Sequence, residues 1–130
     1  IYSTGNALGV AIGFSTSPYI TANPSDLTTN YRPTSTAMYI FVIDDPYVIY
    51  EVQCTTTSAI ADAGGNVDIT LGTGSTVTGI SGAKIAAGGS SAAATARVLR
   101  HVNRPDNELG AYGRYLVVLN EHHYKSTTGT

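Results

Sequence analysis

The feature that most constrains this chain is the large share of its residues whose side chains are branched at Cβ. The sequence has 10 Val, 10 Ile and 18 Thr against 7 Leu and 1 Met. Branching at Cβ restricts χ1 and lowers the preference for helix, whereas such side chains pack well on the pleated surface of a sheet. We therefore predict an all-β fold, and 130 residues are enough for one domain with its own core.

Three apolar runs are expected to form the centre of this domain. Residues 36–43 are almost continuously apolar, which indicates a strand buried on both faces. A turn is predicted at 44–46, where two Asp residues precede a Pro, and residues 47–54 then predict a return strand, so that the two runs form a hairpin. Residues 114–122 predict a buried central strand. On this interpretation Ile40→Asp and Val117→Asp should each unfold the domain.

Weaker patterns predict the remaining elements. They are strands at 8–14, 67–71 and 95–102 and a turn at 25–27. A helix is predicted at 56–63, beginning at Thr57 or Ser58 and ending at Gly64-Gly65. Residues 72–94 are expected to form an ordered loop in which Val77, Ile80 and Ile85 are apolar plugs. The expected architecture is a small antiparallel barrel or sandwich of about six or seven strands with long loops rich in Gly, Ser and Thr.

A single β domain is predicted over residues 1–130, with 1–8 and 125–130 at its periphery. No second domain is indicated, because the sequence shows neither an internal repeat nor a linker. The chain starts at Ile1 rather than Met, and we therefore expect it to be the C-terminal part of a longer protein.

Charge and hydropathy exclude several classes of function. The sequence has 7 Lys and Arg against 9 Asp and Glu, with a formal net charge of −2, so no nucleic-acid partner is expected. The longest apolar run, 37–43, is too short to cross a membrane, and no membrane partner is expected. The single Cys54 excludes an internal disulfide.

Candidate catalytic and metal-binding residues have simpler structural interpretations. His101, His122 and Cys54 lack the spacing of a metal site, and adjacent histidines on a strand point to opposite faces. Asp44 and Asp45 are interpreted as turn residues rather than as a catalytic or calcium-binding pair. No phosphate-binding glycine loop or serine elbow is present. We therefore predict no metal, no cofactor, no catalytic residues and no enzymatic activity.

One loop combines Pro with closely spaced charges, from Arg104 to Glu108. Two interpretations remain open for it: a solvated connection, or a docking loop for another protein. The nine Tyr residues similarly indicate either ordinary core-edge positions or a sugar-binding surface.

Five segments, taken together and in this order, resemble a family of tailed-bacteriophage virion proteins encoded near the major capsid protein. The segments are 30–37, 44–46 with 50–53, 72–82, 102–110 and 117–122. The resemblance implies a capsid decoration, or cement, protein. Such a protein would bind the outer surface of the capsid in the virion and stabilise the assembled shell.

The expected partners are the major capsid protein and further copies of the chain, as a homotrimer or else a dimer. The expected interface is the loop 103–111 together with Arg32, and its residues are Arg32, Arg104, Pro105, Asp106, Asn107 and Glu108. Arg32, Arg104 and Asp106 are expected to pair across subunits, with Pro105 holding the shape of the loop. Two alternatives remain: a module that binds carbohydrate or a host surface, and a small hydrolase using Asp44, Asp45 or His122.

Overall fold

β-branched side chains favour strands, and the described residues form ten short ones joined by turns and loops. The structure, a computed structural model, describes residues 2–3, 6–17, 31–86 and 94–125. Its strands are β1 (Tyr2–Ser3), β2 (Asn6–Ala7), β3 (Val10–Ser15), β4 (Tyr39–Ile43), β5 (Ile49–Gln53), β6 (Asn66–Val67), β7 (Ile69–Thr70), β8 (Lys84–Ile85), β9 (Ala96–His101) and β10 (Arg114–Leu119). The predicted all-β, single-domain fold class is confirmed.

The described strands form four antiparallel sheets. One has the order β5-β10-β9-β6, and the others are the pairs β1–β2, β3–β4 and β7–β8. The sheets do not close into a barrel, and a sandwich is the predicted architecture that fits. The number of strands exceeds the expected six or seven because five of them are pieces of only two residues.

The core lies against the inner face of the four-stranded sheet. β10 is a central strand, and Tyr115, Val117 and Leu119 alternate inward along it. The buried apolar cluster consists of Ala7, Cys54, Val67, Ile85, Ala96, Val98, Tyr115, Val117 and Leu119. The strands predicted at 95–102 and 114–122 are thus confirmed as β9 and β10, and the strand predicted at 8–14 corresponds to β3.

A β-bulge at Leu99 changes which residues of β9 face the core. Val98 lies opposite Val117, but the next pair joins Arg100 to Leu116, so that Leu99 has no opposite residue on β10. An extra residue in one strand reverses the inward and outward alternation that follows it. Val98 is therefore buried and Arg100 exposed, although the sequence pattern placed both on one face.

The predicted hairpin between 36–43 and 47–54 is wrong. β4 pairs with β3, and β5 pairs with β10. The turn between them does form, because the Asp45 carboxylate accepts the backbone N–H of Tyr47 at 2.8 Å. It carries the chain from one sheet into another instead of folding it back on itself.

Gly9 helps to explain why β4 takes β3 as its partner. A Cβ atom at Gly9 would lie 1.9 Å from the carbonyl oxygen of Ile43, and the φ of Gly9 is +145°, which other residues rarely adopt. Glycine therefore allows the chain entering β3 to pass close against the end of β4. β5 instead pairs with β10, where Tyr50 and Val52 pack against the core.

β3 and β4 form a two-stranded unit that we call the apolar ribbon. Its exposed large side chains, each 40–52% exposed, are Val10, Ile12, Tyr39, Ile40 and Ile43. Neither strand contains a charged residue, and neither belongs to the apolar core of the described residues. The prediction that 36–43 is buried on both faces is therefore wrong. These side chains are apolar for a reason other than packing in this core.

The helix predicted at 56–63 is also wrong. A single 3₁₀ turn, Ile60–Asp62, forms there. The Asp62 carboxylate accepts the backbone N–H of Ala59 at 2.9 Å, and Gly64 follows the turn with a φ of +84°. The end of the element at Gly64 was predicted correctly, but only one short 3₁₀ turn forms before it.

The segment from 67 to 94 was predicted as one strand followed by an ordered loop with apolar plugs. β6 and β7 replace the strand, and the loop contributes β8. Val67 and Ile85 enter the core as expected. Val77 and Ile80 are exposed, so the prediction that they are apolar plugs is wrong, and Leu71 is exposed as well.

The two ends of the described chain meet beside the core. Ala7, from the segment expected at the periphery, is buried; its N–H donates to the carbonyl of Glu121 at 2.7 Å, and its carbonyl accepts the N–H of His123 at 2.9 Å. The predicted turn at 25–27 and the tail at 126–130 lie outside the described residues.

Candidate interaction surface

The loop between β9 and β10 is organised around a buried amide side chain. Asn107 is 8% exposed, and its Nδ2 donates to the carbonyls of Val102 at 2.7 Å and Arg114 at 3.1 Å. Its Oδ1 accepts the backbone N–H of Arg114 at 2.8 Å, and Nδ2 lies 3.3 Å from Nε2 of His101. One side chain thus joins the two ends of the loop, so the loop has a fixed shape.

A second anchor fixes the middle of the loop to the segment before the 3₁₀ turn. The Ser58 hydroxyl accepts the N–H of Gly110 and donates to its carbonyl, both at 3.0 Å. Gly113 packs against the same serine, since a Cβ there would lie 2.1 Å from Oγ of Ser58. The N–H of Tyr112 donates to the carbonyl of Thr56 at 2.7 Å. The loop is therefore held at its ends and at its centre.

Tyr115 connects this anchored region to the core. Its ring is buried and meets the ring of His101 edge-on, with 5.6 Å between the ring centroids. Its hydroxyl donates to the Asp62 carboxylate and accepts the N–H of Ala59 at 2.8 Å. Burial foremost, and then the bond to Asp62, raises the pKa of Tyr115 to about 12.

Alkaline pH should therefore destabilise the fold through Tyr115. Its pKa is raised from an ordinary 10.0, so the stabilisation is complete below pH 10 and is lost as the pH rises towards 12. We expect the free energy of unfolding to fall by about 2–3 kcal/mol over this range. Denaturant unfolding at stepped pH measures it. Tyr115→Phe should flatten the dependence, whereas Tyr31→Phe, at an exposed position, should keep it; equal slopes in wild type and Tyr115→Phe would contradict the assignment.

A cluster of charges borders the loop on the outer face of the sheet. Arg104 donates two bonds to the Glu51 carboxylate, at 3.0 and 3.1 Å, and a third to Asp106 at 2.9 Å. Arg114 also donates to Glu51 at 3.1 Å. The hydrogen bond from Arg114 foremost, with that from Arg104, lowers the pKa of Glu51. Glu51 therefore stays ionised and holds both guanidinium groups.

The structure keeps most of the predicted interface residues on one surface. Pro105, Asp106 and Glu108 are exposed, and they help to line an open depression of about 530 Å³ bounded by Gln53 and residues 105–114. Asn107 lines it as well, although the side chain is directed into the loop and bonded there. Its evident role is to shape the surface rather than to contact a partner.

Two predicted interface residues have different surroundings from those expected. Arg104 and Asp106 pair with each other and with Glu51 within one chain, although pairing across subunits was the expectation. Arg32 is exposed, and no contact joins it to the loop within the described part of the chain. Whether these residues touch a second subunit stays a prediction.

Two of the candidate catalytic and metal-binding residues, His122 and Cys54, are buried and form hydrogen bonds within the described chain. Nδ1 of the buried His122 accepts the N–H of Tyr124 at 3.1 Å, and Nε2 has no partner among the described residues. Cys54 is buried and donates to the carbonyl of Thr56. No group of three or more potential metal ligands occurs in the described ranges.

A further surface was missed by sequence reasoning, because it is built by strands that are distant along the chain. The outward side chains of β5, β10 and β9 lie in three rows, which are Ile49–Val118–Arg97, Glu51–Leu116–Arg100 and Gln53–Arg114. We call this the arginine face, and it includes Arg104 through its bonds to Glu51. Only the strand order reveals it, since no short segment carries more than two of these arginines.

Comparison with protein-family models, with curated proteins and with solved structures gave no match. In the described part of the chain, no helix is long and apolar enough to cross a membrane.

Proposed function

We propose that this chain is a structural virion protein, a bacteriophage capsid decoration protein that binds the outer surface of the major capsid shell and stabilises it as a homo-oligomer. A trimer is the first choice and a dimer the second. The observation that carries the proposal is the apolar ribbon, together with the resemblance of five chain segments to phage virion proteins.

The ribbon has the properties of a surface that is covered in an assembly. Its five large apolar side chains lie on two adjacent strands, and no charge interrupts them. Monomeric soluble proteins rarely expose so many large apolar side chains on neighbouring strands, and natural edge strands usually carry charges that prevent pairing with other chains. Contact between copies of the chain would remove the ribbon from water.

The polar clusters favour a structural role over the hydrolase alternative. The Ser58 hydroxyl is occupied by the backbone of Gly110, and the Asp45 carboxylate is occupied by its own turn. A nucleophile or a general base needs a free atom directed at a substrate. In Ser58 and Asp45 these atoms instead hold loops in place, and Nε2 of His122, which has no partner among the described residues, belongs to a side chain that is 0% exposed.

The carbohydrate-binding alternative receives less support from the exposed tyrosines. Lys125 lies over the ring of Tyr47 at 5.2 Å from its centroid, and Lys84 lies over the ring of Tyr112 at 5.7 Å. Each ring therefore has one face covered by a cation. A sugar-stacking platform needs neighbouring open ring faces, and in Tyr47 and Tyr112 a lysine occupies one face of the ring.

The test is binding of the purified protein to phage heads assembled without it. We expect saturable binding to the outside of the shell, a higher melting temperature of the decorated heads, and a solution mass of three chains by light scattering. Failure of the wild-type protein to bind such heads would overturn the proposed function.

Ile40→Asp tests the ribbon separately. An aspartate at this position should weaken self-association about tenfold or more, because a charge would be buried in each contact between copies. Val77→Asp is the matched control, since Val77 is 93% exposed and lies outside the ribbon. Equal association of Ile40→Asp and the control would remove the ribbon from the interface.

A further inference from the structure

We propose that the arginine face is the surface that binds the shell, and that its partner is a protein surface rich in carboxylates. This inference rests on the proposed function and deepens it, because it names the docking surface and the chemistry of the surface opposite. The ribbon would then serve contact between copies, and the arginine face would serve contact with the shell.

The arginine face concentrates most of the positive charge of the chain. Four of the seven Lys and Arg residues belong to it, and they are Arg97, Arg100, Arg104 and Arg114. Glu51 and Asp106 supply the negative charges, which leaves this surface at a formal +2 on a chain of net charge −2. The charge of the molecule is therefore strongly asymmetric, and this face attracts acidic partners.

The arginines of the face divide into two pairs with different roles. Arg104 and Arg114 are held by Glu51. Arg97 and Arg100 form no ion pair or side-chain hydrogen bond within the described part of the chain, and both are exposed. Two guanidinium groups are thus free to donate hydrogen bonds to carboxylates of another molecule. Each guanidinium group is planar and can donate two parallel N–H hydrogen bonds to one carboxylate.

An apolar strip between the arginines distinguishes a protein partner from nucleic acid. Ile49 is 56% exposed, Leu99 is 39% exposed through the bulge, and Leu116 and Val118 are half-buried on the strand between them. A phosphate backbone needs cations but offers no apolar surface to cover such a strip. Protein interfaces combine arginine with apolar side chains in this way.

The bulge at Leu99 brings the free arginines to the same surface. In a regular strand, residues three apart point to opposite faces, so that Arg97 and Arg100 would lie on opposite sides of the sheet. With Leu99 as the extra residue, Arg97 lies opposite Val118 and Arg100 opposite Leu116, both outward. The β-bulge in β9 therefore places both arginines on the same surface.

The experiment compares charge reversals in binding to heads that lack the protein. Arg97→Glu and Arg100→Glu should each weaken binding about tenfold or more, because each would place a carboxylate against carboxylates. Lys84→Glu is the matched control, with the same change of charge on β8, and it should bind as the wild type does. Thermal melting of all three variants checks that they fold.

The possible outcomes separate this inference from the proposed function. If the wild type binds heads and both reversals bind equally well, the arginine face is not the docking surface, although the proposed function stands. If the wild type does not bind heads, both proposals fail. A short duplex DNA serves as the second probe: binding as tight as that to heads, lost in the same two variants, would overturn the assignment of an acidic protein surface.

Discussion

Val117→Asp is expected to leave the domain unfolded at room temperature. Val117 is 2% exposed and lies on the central strand β10, between β5 and β9. An aspartate there would place an unpaired carboxylate among the apolar side chains of the core. The cost is about 5 kcal/mol or more, which equals or exceeds the stability of many domains of this size. Circular dichroism and the dispersion of amide resonances would show the loss of the fold.

Ile40→Asp is the control for this prediction, because it makes the same class of change at an exposed position. Ile40 is 41% exposed on the apolar ribbon, so the variant is expected to fold and to melt within a few degrees of the wild type. The sequence alone led to the opposite expectation, that this variant would also unfold. If both variants unfold, the ribbon belongs to the core and its description above is wrong.

Asn107→Ala is expected to give the second-largest effect, a loss of about 2–4 kcal/mol in the free energy of unfolding. The substitution would leave the carbonyls of Val102 and Arg114 and the N–H of Arg114 without the partner that now satisfies them. Unpaired polar groups in a half-buried loop cost more than the average hydrogen bond contributes. Urea denaturation, monitored by tyrosine fluorescence, would measure the change.

Two neighbouring variants make the interpretation specific. Asn107→Asp keeps the shape and the acceptor but loses both donors, so most of the destabilisation should remain. Glu108→Ala alters an exposed residue of the same loop and should change stability by less than about 0.5 kcal/mol. A stability for Asn107→Ala equal to that of Glu108→Ala would show that the loop does not depend on this amide.

The sequence correctly predicted the strands whose burial follows from the pattern of their own apolar residues. β10 was located because its apolar run is long and continuous, and β9 because its alternation is clear in its first half. The hairpin at 36–54 was wrong because proximity along the chain favours local pairing, whereas β5 gains more from completing the core beside β10. Apolar content also misled the prediction for β4, because its side chains are as apolar as those of a core strand although the structure leaves three of its five residues exposed.

The candidate interaction surface likewise has features that the sequence could predict and features that it could not. The loop from 103 to 111 was identified from its Pro and its charges, and it does border a depression on the surface. The burial of Asn107 could not be predicted, because an amide in a polar segment resembles a solvated residue until the two strand ends are brought together. The salt bridge from Arg104 to Glu51 joins residues 53 positions apart and depends on the strand order.

The bulge in β9 also has a consequence for recognising chains descended from the same ancestor. A chain that shares this sheet and keeps a residue at the position of Leu99, but pairs that residue regularly with β10, would continue one alternation along the strand, and the position of Arg100 would then face the core. An arginine there would bury an unpaired charge, so such a chain must carry an apolar residue at that position. We therefore expect related chains to keep the β-bulge together with the charged residue that follows it. The corresponding sequence pattern has two inward small or apolar residues, then two consecutive outward residues, and then an inward aromatic residue. This pattern would identify related chains even when their overall sequence identity is low.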